Sequence, residues 1–104
     1  MTFQRISALD AQQKILQQHA TLIDIRDPIA FSAGHVENAI HMSNETVSNF
    51  IAQANPDQPL LVMCYHGHSS QNAAQFFVNQ GFTDVYSVDG GFEGWKQQLP
   101  YVTT

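Results

Sequence analysis

The sequence predicts an α/β protein, with an approximately five-stranded, mostly parallel sheet and helices on both faces. Three observations carry this expectation. Short apolar runs alternate with helical patterns over all 104 residues, as repeated βαβ units require. The run Leu60-Leu61-Val62-Met63 is apolar at every position, the pattern of a central parallel strand covered on both faces. Thr21-Leu22-Ile23-Asp24-Ile25 is a β-branched run that stops at Asp27-Pro28, a cap followed by proline at a first helical position.

The elements follow in order. Residues 3–6 form a weak first strand. Ser7 reads as an N-cap, with Asp10 three residues on, for a helix reaching Gln18. The strand over residues 21–25 leads into a short helix that Gly34 ends. Residues 39–41 predict a brief strand, and Ser43 is expected to cap the next helix, where Val47, Phe50, Ile51 and Ala54 share a face. Asn55-Pro56-Asp57-Gln58-Pro59 is a turn before the apolar strand at 60–63. Residues 69–80 predict a helix burying Ala73, Phe76 and Phe77 and stopped by Gly81. Residues 84–88 give the last strand. Gly90-Gly91 then turns the chain into a final helix on which Phe92, Trp95 and Leu99 share a face before Pro100.

A chain of this length has one core, so a single domain over residues 1–104 is expected. The formal charge is −5, and the four fixed cations Arg5, Lys14, Arg26 and Lys96 are scattered. Nucleic-acid binding needs clustered basic residues, so it is excluded as a reading, and attraction to acidic lipid falls for the same reason. No apolar run approaches the roughly 20 residues that span a bilayer. Residues 1–5 lack the basic start and apolar stretch of a secretory signal, which predicts cytoplasmic residence.

Cys64 is the sole cysteine, hence an inert core thiol, a reactive thiol or a metal ligand. Most single cysteines are small buried hydrophobes. This one closes the apolar strand, and Tyr65-His66-Gly67-His68-Ser69-Ser70 leads straight into a helix. Gly67 permits positive φ, and a short loop around a strand end aims N–H groups inward beside a helix N-terminus. A thiol at the floor of such a cup has a depressed pKa, because the donors favour the thiolate. The spacing Cys64-x-His66-x-His68 also suggests a metal site, but alternate residues in a tight loop converge poorly on one ion, and no metal is expected.

The loop Cys64-Tyr65-His66-Gly67-His68-Ser69-Ser70 resembles the active-site loop of rhodanese domains, whose cysteine accepts sulfane sulfur. Two further segments match in order. Residues 22–27 through Phe31, Gly34-His35 and Ala39 are similar to the N-terminal signature of that family, and residues 85–95 (VYSVDGGFEGW) to its C-terminal one. The resemblance covers essentially the whole chain. It implies a rhodanese-like fold and a thiosulfate sulfurtransferase. Cys64 would form a persulfide, release sulfite, and pass the sulfur to cyanide, a thiol or thioredoxin. It implies binding of the anion mainly by the backbone N–H groups of Tyr65, His66, Gly67, His68, Ser69 and Ser70, with no metal or organic cofactor.

Competing readings have residue-level answers. Cysteine phosphatases and arsenate reductases place arginine six residues after the cysteine to clamp the oxyanion, and here that position is Ser70. Non-catalytic modules of the same fold often lack the cysteine that this chain retains. Asp24 and Arg26 are expected to form a structural ion pair and His35 to bond to backbone. Phe92 and Trp95 read as core, and Tyr65 is placed at the mouth of the pocket. The loop contains no Lys or Arg, so thiosulfate must be held by backbone donors and helix dipole alone, with His66 and His68 as candidates to add partial charge. Replacing His68 by arginine is therefore expected to lower KM for thiosulfate in steady-state assays; an unchanged KM would contradict the electrostatic argument.

Overall fold

The computed structural model describes residues 2–103. Its strands are β1 (Gln4–Ile6), β2 (Thr21–Asp24), β3 (Ile40–His41), β4 (Leu60–Met63) and β5 (Val85–Val88). Its helices are α1 (Ala8–Gln18), α2 (Pro28–Ala33), α3 (Val47–Gln53), α4 (Ser69–Asn79) and α5 (Gly91–Trp95). The strands form one sheet in the order β1-β5-β4-β2-β3, and every pairing is parallel. β4 is central, with Leu60 facing Thr21 on one side and Val85 on the other. All strands end at the same edge of the sheet, which gathers their following loops there. No helix among the described residues is long and apolar enough to cross a membrane.

Alternation along β4 divides the core. Leu61 and Met63 pack with Ala11 of α1 and with Phe92 and Trp95 of α5. Leu60 and Val62 pack on the opposite face with Met42, Ala74 and Phe77, beside Val47, Phe50 and Ile51 of α3. Each side chain of β4 is almost wholly inaccessible, which is why the strand reads as continuously apolar.

The start of each early helix is written in its cap. Ser7 Oγ accepts the Asp10 N–H at 3.1 Å, and Asp27 Oδ1 accepts the Ala30 N–H at 2.9 Å with Pro28 at the first helical position. Three expectations are corrected. Helix α3 begins at Val47 with Thr46 as its cap residue, not at Ser43; the Ser43 carbonyl instead accepts the N–H groups of Thr46 and Val47 across a preceding turn. Helix α4 buries Ser70, Ala74 and Phe77, leaving Ala73 half-buried and Phe76 42% exposed. The buried face of α4 runs through Ser70, Ala74 and Phe77, and Phe76 lies about 100° around the helix from Phe77. Helix α5 stops at Trp95 and continues as turns, with Leu99 N–H donating to Trp95 O.

Asp24 and Arg26 form a fully buried ion pair, Nη2 to Oδ2 at 2.7 Å. The same guanidinium donates to the Gly34 carbonyl at 2.7 Å and lies 4.1 Å over the Phe92 ring, tying the end of β2 to the end of α2 and to α5. His35 Nδ1 is bonded to the Phe31 carbonyl, within 2.7 Å.

The turn from β5 into α5 presses on the loop after β4. Gly91 has φ +58°, and a Cβ there would meet the carbonyl oxygens of Tyr65 and of Cys64. Substituting Gly91 by alanine should lower stability by about 3 kcal/mol, from combined backbone strain and steric overlap. A urea denaturation midpoint equal to that of the parent chain would contradict this close approach.

Candidate active site

Strand β4 delivers Cys64 to the carboxyl edge of the sheet, at 2% exposure. Two carbonyls then turn away from the thiol. Cys64 O accepts the Phe92 N–H at 2.8 Å, and Tyr65 O accepts the Glu93 N–H at 3.1 Å, both from the first turn of α5. These bonds use the free N–H groups of that helix start and turn the two carbonyls toward α5. Gly67 follows with φ +90°; a Cβ at this residue would lie 2.9 Å from Gly90 N and 3.2 Å from Val88 O. Only glycine fits both that φ and that approach.

The sulfur is ringed by donors. The Gly67 N–H reaches Sγ at 3.1 Å and the Ser70 N–H at 3.3 Å. The protonated thiol donates to Ser70 Oγ at 3.1 Å. Once the sulfur is ionised that contact can persist only if the Ser70 hydroxyl donates instead. Burial pushes the Cys64 thiol up, but the Ser70 hydroxyl and N–H, the Ser69 hydroxyl and the Gly67 N–H together hold it below its ordinary value. The balance is reasonable, because hydrogen bonds to an ionised group are worth about 1.5–3 kcal/mol each and several act on one atom. Among the described residues the N–H groups of Tyr65, His66, His68 and Ser69 are bonded to no backbone acceptor.

The other loop residues separate by side chain. Tyr65 is 38% exposed, and its hydroxyl donates to the Asp27 carboxylate, the residue that caps α2. This bond lowers the Asp27 pKa and raises that of Tyr65. His66 and His68 are exposed, and among the described residues neither imidazole has a hydrogen-bond partner. Among the described residues the nearby cations are engaged in ion pairs. Arg26 is spent on Asp24 and Gly34, and Lys96 pairs with Glu93 at 2.9 Å. Among the described residues no three His, Cys, Asp or Glu side chains converge to hold a metal ion. The arrangement suits a nucleophilic thiolate facing a small anion.

Two features of the site were not read from the sequence. The Gly90-Gly91 turn was legible as a turn, but its contact with the Cys64 and Tyr65 carbonyls joins segments more than twenty residues apart. Ser87 in β5 lies behind the site, its Oγ 2.8 Å from Ser70 Oγ and both side chains fully buried. Its sequence signal was a hydroxyl inside the otherwise apolar end of a parallel strand.

The chain is similar to known proteins in sequence and in fold. Proteins called thiosulfate sulfurtransferase GlpE from Pseudomonas aeruginosa strains LESB58 and UCBPP-PA14 are each 50% identical over 103 residues, covering 99% of this chain and 93% of theirs. The crystal structure of a rhodanese-related protein from Thermoplasma volcanium superposes with TM-score 0.83 at 25% identity, over 98% of this chain and all of that one. The solution structure of a polysulfide-sulfur transferase homodimer from Wolinella succinogenes gives TM-score 0.81 at 28% identity, over 98% of this chain and 80% of that one. The sequence matches the family described as Rhodanese-like domain from residue 7, the cap of α1, to residue 98, beyond α5. With a match that runs through four of the five strands and the whole cysteine loop, the chain belongs to the rhodanese-like domain family.

Proposed function

We propose that this protein is a thiosulfate sulfurtransferase that carries sulfane sulfur as a persulfide on Cys64. The observation that carries the reading is the ring of donors on one buried sulfur, from Gly67 N–H, Ser70 N–H and the Ser70 hydroxyl. The 50% identity to proteins named thiosulfate sulfurtransferase supports it. In the first half-reaction the Cys64 thiolate attacks the outer sulfur of thiosulfate. A bond forms between the two sulfurs, the bond to the sulfonate sulfur breaks, and its electron pair leaves on sulfite. In the second, cyanide, a thiol or the thiolate of reduced thioredoxin attacks the outer sulfur, and Cys64 departs again as thiolate. Splitting the transfer in two lets each step use a good leaving group.

The residues divide this work. The Gly67 and Ser70 donors favour the ionised form of Cys64 before attack and make it a better leaving group afterwards. In this reading the N–H groups of Tyr65, His66, His68 and Ser69 bind thiosulfate and then the charge on the outer persulfide sulfur, as preorganised donors stabilise developing charge. The start of α4 adds its partial positive charge. No side chain near the sulfur supplies a general base, and none is needed once the thiol is ionised. Ser70 occupies the position where a phosphatase would carry its arginine, and its hydroxyl is committed to the sulfur. A cytoplasmic setting suits a chain whose chemistry needs a free thiol.

Two outcomes test the reading. Protein incubated with thiosulfate, desalted and weighed under non-reducing conditions should gain one sulfur atom, lose it to cyanide, and gain none as Cys64→Ser. Absence of the adduct in the parent chain would favour a binding module. The sign of the pH effect is also fixed. The Ser70 hydroxyl lowers the thiol pKa, so Ser70→Ala should move the lower-pH limb of kcat/KM upward by roughly one unit. Rates below the midpoint should fall roughly tenfold while the high-pH plateau holds; an unmoved limb would remove Ser70 from the account.

A further inference from the structure

Ser87 is a buried hydroxyl that the steps above do not use. It stands in β5 between Val85 and Val88, both buried, and on the same face as Val85, whose neighbours are Phe77 and Phe82. An aliphatic side chain would ordinarily fill such a position, because a buried hydroxyl is costly unless it is hydrogen-bonded. Among the described residues the one side-chain partner of Ser87 is Ser70, at 2.8 Å. Ser70 Oγ therefore lies between two atoms, Ser87 Oγ on one side and Cys64 Sγ at 3.1 Å on the other.

A hydroxyl has one proton and two lone pairs, so the three groups have two self-consistent arrangements. With Cys64 protonated, S–H donates to Ser70 and the Ser70 proton goes to Ser87. With Cys64 ionised, Ser70 turns its proton onto the sulfur, and its oxygen is free to accept the proton of Ser87. We propose that Ser87 is a positioning residue for the sulfur chemistry: its hydroxyl donates to Ser70 from behind and holds the Ser70 proton on the Cys64 sulfur whenever that sulfur is charged. A donor that is itself accepting a hydrogen bond is polarised and binds its acceptor more strongly. Loss of the rear donor also frees the Ser70 side chain to rotate away from the thiolate. The protonated state loses less, because there the Ser70–Ser87 bond joins two neutral groups, whereas in the ionised state it supports a hydrogen bond to a charge.

The charged groups around the relay are already paired. Arg5, the register neighbour of Ser87 in β1, binds Asp89 at 2.8 Å. Asp24 is held by Arg26 on the far side of β4, and Glu93 of α5 by Lys96. His66 and His68 are exposed, and among the described residues the side-chain hydrogen bond of Ser87 goes to Ser70. Removing the Ser87 hydroxyl leaves all of them in place, so a change in the titration of Cys64 reports the relay.

The inference rests on Cys64 as the reacting atom but not on thiosulfate as its substrate. Its test therefore uses iodoacetamide alkylation of the whole protein across pH, which follows the thiolate fraction. Ser87→Ala should raise the midpoint by about half a unit, which is about threefold slower alkylation below the midpoint with an unchanged plateau above it. Ser70→Ala should raise it further, and adding Ser87→Ala to that variant should change nothing more, since the path to the sulfur is gone. Should the alanine variant fail to fold, Ser87→Thr and Ser87→Val compare a hydroxyl with a methyl at nearly equal volume. Valine should shift the midpoint and threonine should keep it near the parent value. An unmoved or lowered midpoint in Ser87→Ala overturns the proposal, as does a further shift in the double variant or an equal shift by valine and threonine. A shifted midpoint in a protein that accepts no sulfur from thiosulfate would keep the relay and discard the sulfurtransferase reading.

Discussion

The site depends on one contact: the first turn of α5 lying against the carbonyls of Cys64 and Tyr65. Phe92 and Glu93 donate their N–H groups to those oxygens, and Gly91 makes the approach possible by having no Cβ. A peptide unit has its donor and acceptor on opposite sides. Pulling the Cys64 and Tyr65 carbonyls toward α5 therefore turns the Tyr65 and His66 N–H groups away from that helix, while Gly67 and Ser70 further along the loop donate to the sulfur. Gly67 closes the loop against Gly90 and Val88, so the two glycine positions brace one another across the sheet. The buried Arg26 guanidinium over Phe92 then links this interlock to the end of β2.

The electrostatics of the site follow from that backbone arrangement more than from any charged side chain. The protein is acidic, and its four fixed cations are distributed along the chain, with Arg5, Arg26 and Lys96 already engaged in ion pairs. Burial opposes a charged sulfur, yet short hydrogen bonds from Gly67, Ser69 and Ser70 reverse the balance. Neutral donors can do this because they are fixed beforehand and lose little on reorganising around the charge. The buried Asp24–Arg26 pair has a different part. Removing either partner would strand a charge at the carboxyl edge of the sheet, which makes it a structural tie rather than a reagent.

Much of the fold was legible because local chemistry and tertiary need agreed. The caps at Ser7 and Asp27, the proline at residue 28 and the apolar run at β4 each marked an element for a reason that survives in the structure. The errors fell where tertiary contacts overrode local pattern. Phe76 and Phe77 were both expected in the core, but adjacent helix residues point about 100° apart, and the face through Ser70, Ala74 and Phe77 is the one packed on the sheet, which leaves Phe76 at the surface. Ser43 looked like a cap because its residue type fits one. Its carbonyl begins a turn instead, and α3 starts four residues later.

For Cys64, the sequence by itself determined the position: the end of a central strand, a glycine-containing loop and a helix start, in the setting of three ordered family motifs. Those are local properties, carried by residue type and spacing. The tertiary structure decided which atoms reach the sulfur, because donors from Gly67 and Ser70 are aimed by a turn at Gly90-Gly91 and backed by Ser87. These partners lie between three and twenty-seven residues from Cys64 in sequence. Only the parallel pairing of β4 with β5 brings the distant ones within hydrogen-bond range.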